Sequence, residues 1–250
     1  MNKKRIYGDK CEIDTLRTKE LYNARANNLE NMKSPYTSVL LGDQNPEYAN
    51  KWNIVEKELI LPFMQADKTK SALDLGCGIG RWAESLLPLC KSYTGVDFSE
   101  CMIEEAKKRC GHLMNDASCF VCNSVQGFLR ENYTDRKYDI IIISYVCMYI
   151  NDSEIECVMK KISEIASKNC VIYFIDTVGV EKRLTLNEIY SEALKSNYSA
   201  IYRTVNEYNE LYKILEKSGF EKVGFGFMPK LNSEEAYAET DRHYIILKRC

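Results

Sequence analysis

Residues 71–82 read SALDLGCGIGRW: an aspartate, Asp74, followed by glycines at 76, 78 and 80. Glycine lets the backbone turn sharply and approach a ligand closely. A second carboxylate, Asp97, stands in GVDF at 95–98, 17 positions after Gly80. A carboxylate at the end of a strand can accept hydrogen bonds from both ribose hydroxyls of a nucleoside, and Phe98 offers an apolar face to a purine. The chemistry is therefore nucleoside binding. It is not the usual nicotinamide version, whose G-x-G-x-x-G would need a third glycine at position 81, where arginine stands.

General bases are scarce. Of two histidines, His112 belongs to a helix-ending surface loop. His243 begins the last strand, and an antiparallel last strand would bring it, with Asp241 and Arg242, to the carboxyl edge of the sheet where ligands bind. Asp176 ends another strand at that edge and is a second candidate base or acceptor ligand. Five tyrosines (190, 198, 202, 208 and 212) crowd 181–212. Tyrosine combines apolar area with a polar tip, as a pocket lid needs. Arg183 and Arg203 lie in the same stretch and, with Lys33 and Tyr36, form a candidate site for an anionic acceptor. Tyr190 and Tyr202 would line it.

The elements that position these residues follow from apolar periodicity. Strands are expected at 72–75, 92–97, 118–122, 138–144, 170–176, 220–228 and 243–248. Helices are expected at 12–32, 46–64, 81–89, 100–109, 125–131, 153–167 and 204–218. Asn45, Ser99, Ser153 and Thr204 are expected N-caps. Residues 140–143 and 171–175 are apolar throughout, the mark of strands covered on both faces. Strand–helix alternation predicts a doubly wound α/β fold: a seven-stranded, mostly parallel, Rossmann-like sheet with N-terminal helices and a final antiparallel hairpin. Residues 180–203 are expected to be a helical cap insertion. The domain reading is an N-terminal helical segment, 1–69, covering the cofactor site, and a catalytic core, 70–250.

The bulk numbers narrow the classes. The chain has 250 residues, net charge −2, and 34 basic against 36 acidic residues mixed along its length. No broad basic field exists to collect nucleic acid. Eleven cysteines, an odd and scattered set, read as buried reduced thiols; the one C-x-x-C, Cys119 and Cys122, falls on a strand where residues three apart face oppositely. No metal site is expected. The charged first ten residues lack an apolar signal core, and no apolar run is long enough to span a bilayer, so a cytoplasmic protein is expected.

Three segments in order, LDLGCGIGRW, GVDFSECMIEEA and YDIIIISYVCMYI, resemble class I methyltransferases that use S-adenosylmethionine (SAM) and release S-adenosylhomocysteine (SAH). The resemblance covers about 71–176 and, more loosely, the C-terminal hairpin. It implies that Asp74, Gly76, Cys77, Gly78 and Gly80 lie along the methionine part of SAM, that Asp97 holds the ribose, and that Phe98 and Met102 flank the adenine. Asn123 and Ser124 stand where the family often has an acidic residue near the adenine amine. Ser144 and Tyr145 would line the transfer site. Tyr149 occupies a position where many relatives carry histidine, which leaves it as a third catalytic candidate. Tyr22-x-x-Arg25-Ala26 is similar to a short element preceding the core of small-molecule members, where Arg25 would pair with the SAM carboxylate.

Methyl transfer is an in-line displacement needing alignment and a lone pair. SYVCMY stands where amino-methylating nucleic-acid enzymes carry N-P-P-Y or D-P-P-Y. The expectation is thus methylation of a small molecule, at an oxygen ahead of a nitrogen. Residues 34–53 loosely resemble enzymes of natural-product and surface-polysaccharide pathways, some of which act on sugars or phosphate groups. A small amine as N-acceptor, a SAM-binding module without turnover, and a nucleotide-dependent oxidoreductase are the competing readings. Oligomeric state is not legible.

Overall fold

Two runs of consecutive apolar residues form the centre of the sheet, because only strands covered on both faces tolerate them. These are β5 (Tyr138–Ser144) and β6 (Ala166–Gly179). The computed structural model describes residues 4–41, 45–131, 136–231 and 239–250. Around the central pair, β2 (Ser71–Leu75), β3 (Ser92–Asp97) and β4 (Cys119–Cys122) extend one way, and β10 (Thr240–Arg249) and β9 (Phe220–Phe227) the other. The order is β4-β3-β2-β5-β6-β10-β9. The first five are parallel, and β10 runs antiparallel to both β6 and β9. The doubly wound, seven-stranded expectation holds.

Helices cover both faces. On one side lie α3 (Pro46–Met64), α4 (Ala83–Leu86) and α5 (Glu100–Cys110), whose Trp52, Trp82 and Ile103 are buried with Ile140, Ile142 and Tyr173 of the sheet. On the other lie α6 (Val125–Arg130), α7 (Asp152–Ile165) and α8 (Val205–Glu216), packed on Ile141, Ile143, Ile172 and Phe174. Alternate residues of one strand thus feed two separate cores, as a period of two requires. Ahead of them, α1 (Thr15–Asn27) and the short α2 (Thr37–Leu40) lie at the N-terminal end.

The caps hold at Ser99, whose hydroxyl accepts from Met102 N at 3.1 Å, and at Thr204, which forms a reciprocal capping box with Glu207. They fail at Asn45, whose side chain makes no cap bond, and at Ser153, since α7 starts one residue earlier with Asn151 as cap. The helix expected at 81–89 shrinks to α4's four residues, and that expected at 12–32 to α1, capped by Asp14.

The expected helical insertion at 180–203 is wrong. Residues Leu184–Ser191 and Ser196–Tyr202 are strands β7 and β8 of an antiparallel hairpin, and β1 (Lys4–Tyr7) joins as the third strand of a small sheet, order β1-β7-β8. The reason is a period-two pattern. Tyr198, Ala200 and Tyr202 share a face, which packs with Leu186 against Leu21 of α1. β-Branched Thr185, Ile189 and Ile201 suit strands as well. All eleven cysteines are free thiols, and Cys122 is exposed rather than buried.

Candidate functional site

β2 and β3 run to one side of the sheet from the same starting point as β5 and β6 run to the other, so the loops after β2 and β5 part and leave a crevice. A cavity of about 290 Å³ fills it. The turn after β2 forms its floor. Gly76 has φ +83 and Gly78 φ +52, the left-handed region that glycine enters without penalty. A Cβ on Gly76 would lie 2.2 Å from Val146 Cγ2, and one on Gly78 2.7 Å from Val39 Cγ1. Gly80 serves packing instead: its Cβ would meet the Cys110 thiol of α5 at 2.8 Å.

Asp97 ends β3 facing the cavity. Its carboxylate accepts from Gly78 N at 3.0 Å and Ser99 N at 2.9 Å, so it also fixes the glycine turn. Burial pushes its carboxyl up to about 6, against the pull of those backbone donors. Asp74 lies deeper. Its Oδ2 accepts from Tyr93 at 2.6 Å, while Oδ1 is buried with no hydrogen-bond partner among the described residues, and burial raises this carboxyl to about 7.

Of the residues singled out in the sequence, Tyr22, Gly76, Gly78, Asp97, Phe98, Met102, Ser124, Ser144, Tyr145 and Tyr149 line this one cavity. Tyr149 is held by hydroxyl contacts on both sides, 2.9 Å to Tyr22 and 2.8 Å to Tyr198 of β8. Ser124 caps α6, accepting from Gly127 N at 2.9 Å. Cys77 and Asn123 are adjacent but off the lining: the Cys77 thiol lies 3.0 Å from where a Gly95 Cβ would stand, and the Asn123 side chain crowds Gly127.

Other candidates lie elsewhere. Arg25 is buried and donates to the carbonyls of Ser38, at 2.9 Å, and Thr37; it secures α2 over the glycine turn. Arg183 and Arg203 are buried in ion pairs: Arg183 with Asp152 and Glu207, Arg203 with Asp152. Arg203 also donates to the carbonyls of Cys147 and Ile150, both at 2.7 Å. Tyr36 donates to Glu84 at 2.7 Å beside Lys57 and Arg109; burial and that bond push its phenol up to about 12. Tyr190 is exposed on the hairpin, and Tyr202 packs in its small core. The expected anionic-acceptor cluster is therefore not assembled.

Asp176 and His243 are cross-strand partners, so they share a face, and both are buried off the cavity lining. Asp176 accepts from Met148 N at 3.3 Å, and burial lifts it to about 7. The His243 ring meets Phe227 edge-on at 5.2 Å; burial, then Lys222, lowers its pKa. His112 is exposed, as expected.

Several lining residues went unread: Thr15, Val39, Val125, Gln126, Gly127, Arg130, Val146, Ile150 and Glu154. Gln126 and Arg130 both donate to Glu154, at 2.8 and 3.2 Å. Their signal was present. Positions 126 and 130 are i and i+4 on the helix that opens at Ser124, so they share a face beside the expected adenine end.

Residues 72–169 match the family described as methyltransferase domain. Phosphoethanolamine N-methyltransferase 3 of Arabidopsis thaliana is 29% identical over 119 residues, 48% of this chain and 24% of that protein. Nodulation protein S of Bradyrhizobium diazoefficiens is 34% identical over 82 residues, 33% of this chain and 36% of that protein. The chain spans about a quarter or less of the length of the phosphoethanolamine N-methyltransferases it matches. Among solved structures, a Haemonchus contortus phosphoethanolamine N-methyltransferase 1 superposes with TM-score 0.69 at 14% identity, covering 94% of this chain and 50% of that one. A DhpI–SAH complex superposes with TM-score 0.61 at 18% identity, covering 94% and 96%. The methyltransferase resemblance and its fold are borne out, and with them S-adenosylmethionine as the cofactor this domain implies.

Proposed function

We propose that this chain, which carries a methyltransferase domain at 72–169 in the class I fold, methylates a small molecule from S-adenosylmethionine bound in the cavity between the loops after β2 and β5. One observation carries the reading: the Asp97 carboxylate and the backbone of Gly76 and Gly78 face the same cavity. The residues fit the group. Side-chain bulk is excluded at both glycines, and a buried Asp74 oxygen lies just beneath the turn. When bound, SAM would supply a methyl on a sulfonium sulfur that leaves as the neutral thioether of SAH, so alignment is the main requirement.

The chain's own residues provide that alignment. Asp97 would accept from the ribose hydroxyls. Phe98 and Met102 would flank the adenine, with Ser124 and Gln126 at its polar edge. Ser144, Tyr145 and Tyr149 would wall the transfer end. Thr15 and Tyr22 of α1 and Val39 of α2 act as the cavity's cover.

The acceptor is better read as a small amine than as the anionic oxygen first expected. The arginines assigned to an anion are consumed in ion pairs with Asp152 and Glu207. Several of the similar proteins, the phosphoethanolamine enzymes among them, are named N-methyltransferases. An amine-bearing intermediate of a surface-polysaccharide or natural-product pathway meets this description.

Calorimetric titration with SAH, on wild type and Asp97→Ala, tests the cofactor reading. Wild type should bind, and the variant should lose about one to a few kcal/mol, the scale of a charged hydrogen bond. A wild type that binds no SAH sinks the proposal. For the acceptor, labelled methyl should pass from SAM to the nitrogen of an amine without a phosphate, such as an amino sugar; transfer only to oxygen acceptors overturns the amine reading.

A further inference from the structure

The end of β5 and the loop after it make part of the cavity wall with Ser144 and Tyr145, and each bonds to a residue outside the 72–169 domain. On α3, Glu56 stands at i+4 from Trp52 and at i+3 from Asn53, so it neighbours both on the helix surface. Trp52 is 1% exposed, and its indole N–H donates to the Tyr145 hydroxyl at 2.8 Å. Glu56 is fully buried and pairs with buried Arg81, the residue standing where a dinucleotide fingerprint would have glycine. Arg81 Nη2 donates to Ser144 Oγ at 3.0 Å, and that hydroxyl donates on to Glu56 Oε1 at 3.2 Å. Tyr173 of β6 donates to the same oxygen at 2.9 Å, and Asn53 accepts from Arg81 at 3.4 Å.

This construction is more than packing requires. A buried ion pair gives up solvation that its attraction repays only in good geometry, and an apolar pair of similar volume often folds as well. Tyr145, moreover, has φ +59, a left-handed conformation in which a side chain clashes with its own backbone. Such strain persists where the surroundings over-determine it. Here the surroundings are the Trp52 bond at the hydroxyl and the bond from Tyr145 N to Ile175 O, 2.7 Å, at the backbone.

We infer that Trp52 and the Glu56–Arg81 pair are positioning residues. They fix Ser144 and Tyr145 in the geometry that binds the nucleoside cofactor, so α3 belongs functionally to the cavity wall. The inference rests on reading the cavity as the SAM site.

The test is a double-variant cycle read by SAH affinity, with melting temperature recorded for each protein. Trp52→Phe removes the donor and keeps an apolar ring; it should weaken SAH binding by about fivefold to tenfold, the scale of one hydrogen bond. Tyr145→Phe should do the same, and the two together no more than either alone, because they delete one interaction. Glu56→Leu with Arg81→Met should melt within a few degrees of wild type and still bind SAH about tenfold more weakly. A merely structural role lowers the melting temperature and leaves affinity measured well below it unchanged. Trp52→Phe binding within about twofold of wild type, or additive losses in the cycle, overturns the inference. If the Glu56/Arg81 replacement fails to fold, the Trp52 cycle decides alone. Wild type that binds no SAH overturns the cofactor reading itself and is seen before any variant is compared.

Discussion

Gly76 shows why the cofactor residues could be read from sequence at all. Its φ of +83 and the Val146 methyl 2.2 Å from a would-be Cβ leave one residue type for the position. Backbone constraint of that kind writes itself into the sequence, as does the carboxylate at the end of β3. Gly76→Ala combines left-handed strain with a steric clash. It should cost about 1–3 kcal/mol in stability and remove SAH binding, checked by urea denaturation and calorimetry on the same protein. An alanine variant that binds SAH normally would show that the turn relaxes. Arginines carry no comparable signature. By residue type Arg25, Arg183 and Arg203 suit carboxylates and phosphates, but their partners are set by tertiary contacts: the carbonyls of Thr37 and Ser38, and the carboxylates of Asp152 and Glu207. Asp176 and His243 failed for another reason. Their strand ends are at the correct edge, but a period of two means that one position decides the face, and theirs is away from the cavity lining.

The strand whose apolar run is long and unbroken, β5, has the bounds its sequence predicts, and so does the shorter, mixed β3. The hairpin β7–β8 does not, because its alternation is interrupted between Leu186 and Ile189, where the register shifts, and rests on tyrosine and alanine in β8, and because its third strand lies at the far end of the chain. Its attachment explains why 180–203 matters to the site. Arg203, at its end, binds the carbonyls of Cys147 and Ile150 on either side of Tyr149, and Tyr198 binds the Tyr149 hydroxyl. The hairpin thereby braces the cavity wall from the side opposite α3. Arg203→Ala leaves those carbonyls and Asp152 short of a buried partner. It should destabilise the protein by about 3–5 kcal/mol, the usual result of breaking a buried pair by removing one member. The urea midpoint reads this directly, and a loss below about 1 kcal/mol would mean that water replaces the guanidinium at little cost.

At the scale of the whole molecule, the buried acids set how stability responds to pH. Burial raises Asp97 to about 6 and Asp74 and Asp176 to about 7. Each is about 3.9 when unfolded. Between those values the folded chain binds more protons than the unfolded one, so stability falls with rising pH. The contribution is fully present below about 4 and is lost as pH climbs through 6 and 7. Asp152 and Glu207 act oppositely. Burial would raise both, but Arg203 and Arg183 around Asp152, and the Thr204 backbone and Arg183 around Glu207, bring them below their ordinary values. Their contribution is present above the unfolded pKa and is lost as pH falls through the folded one. His243, whose pKa burial lowers, adds to the second trend below about 6.5, its unfolded value, and the two trends cross on the acidic side of neutrality. The ligand-free protein should therefore melt highest near about pH 5 and several degrees lower at about pH 8. Asp176→Asn separates the causes, since it removes a buried charge that the wild type must carry at pH 8 and does not carry at pH 5. Thermal melts should show a smaller drop from pH 5 to pH 8 for the variant than for wild type. Equal drops would mean that Asp176 is ionised throughout, stabilised by Arg203 and the Met148 N–H, and that the pH dependence resides in Asp74 and Asp97.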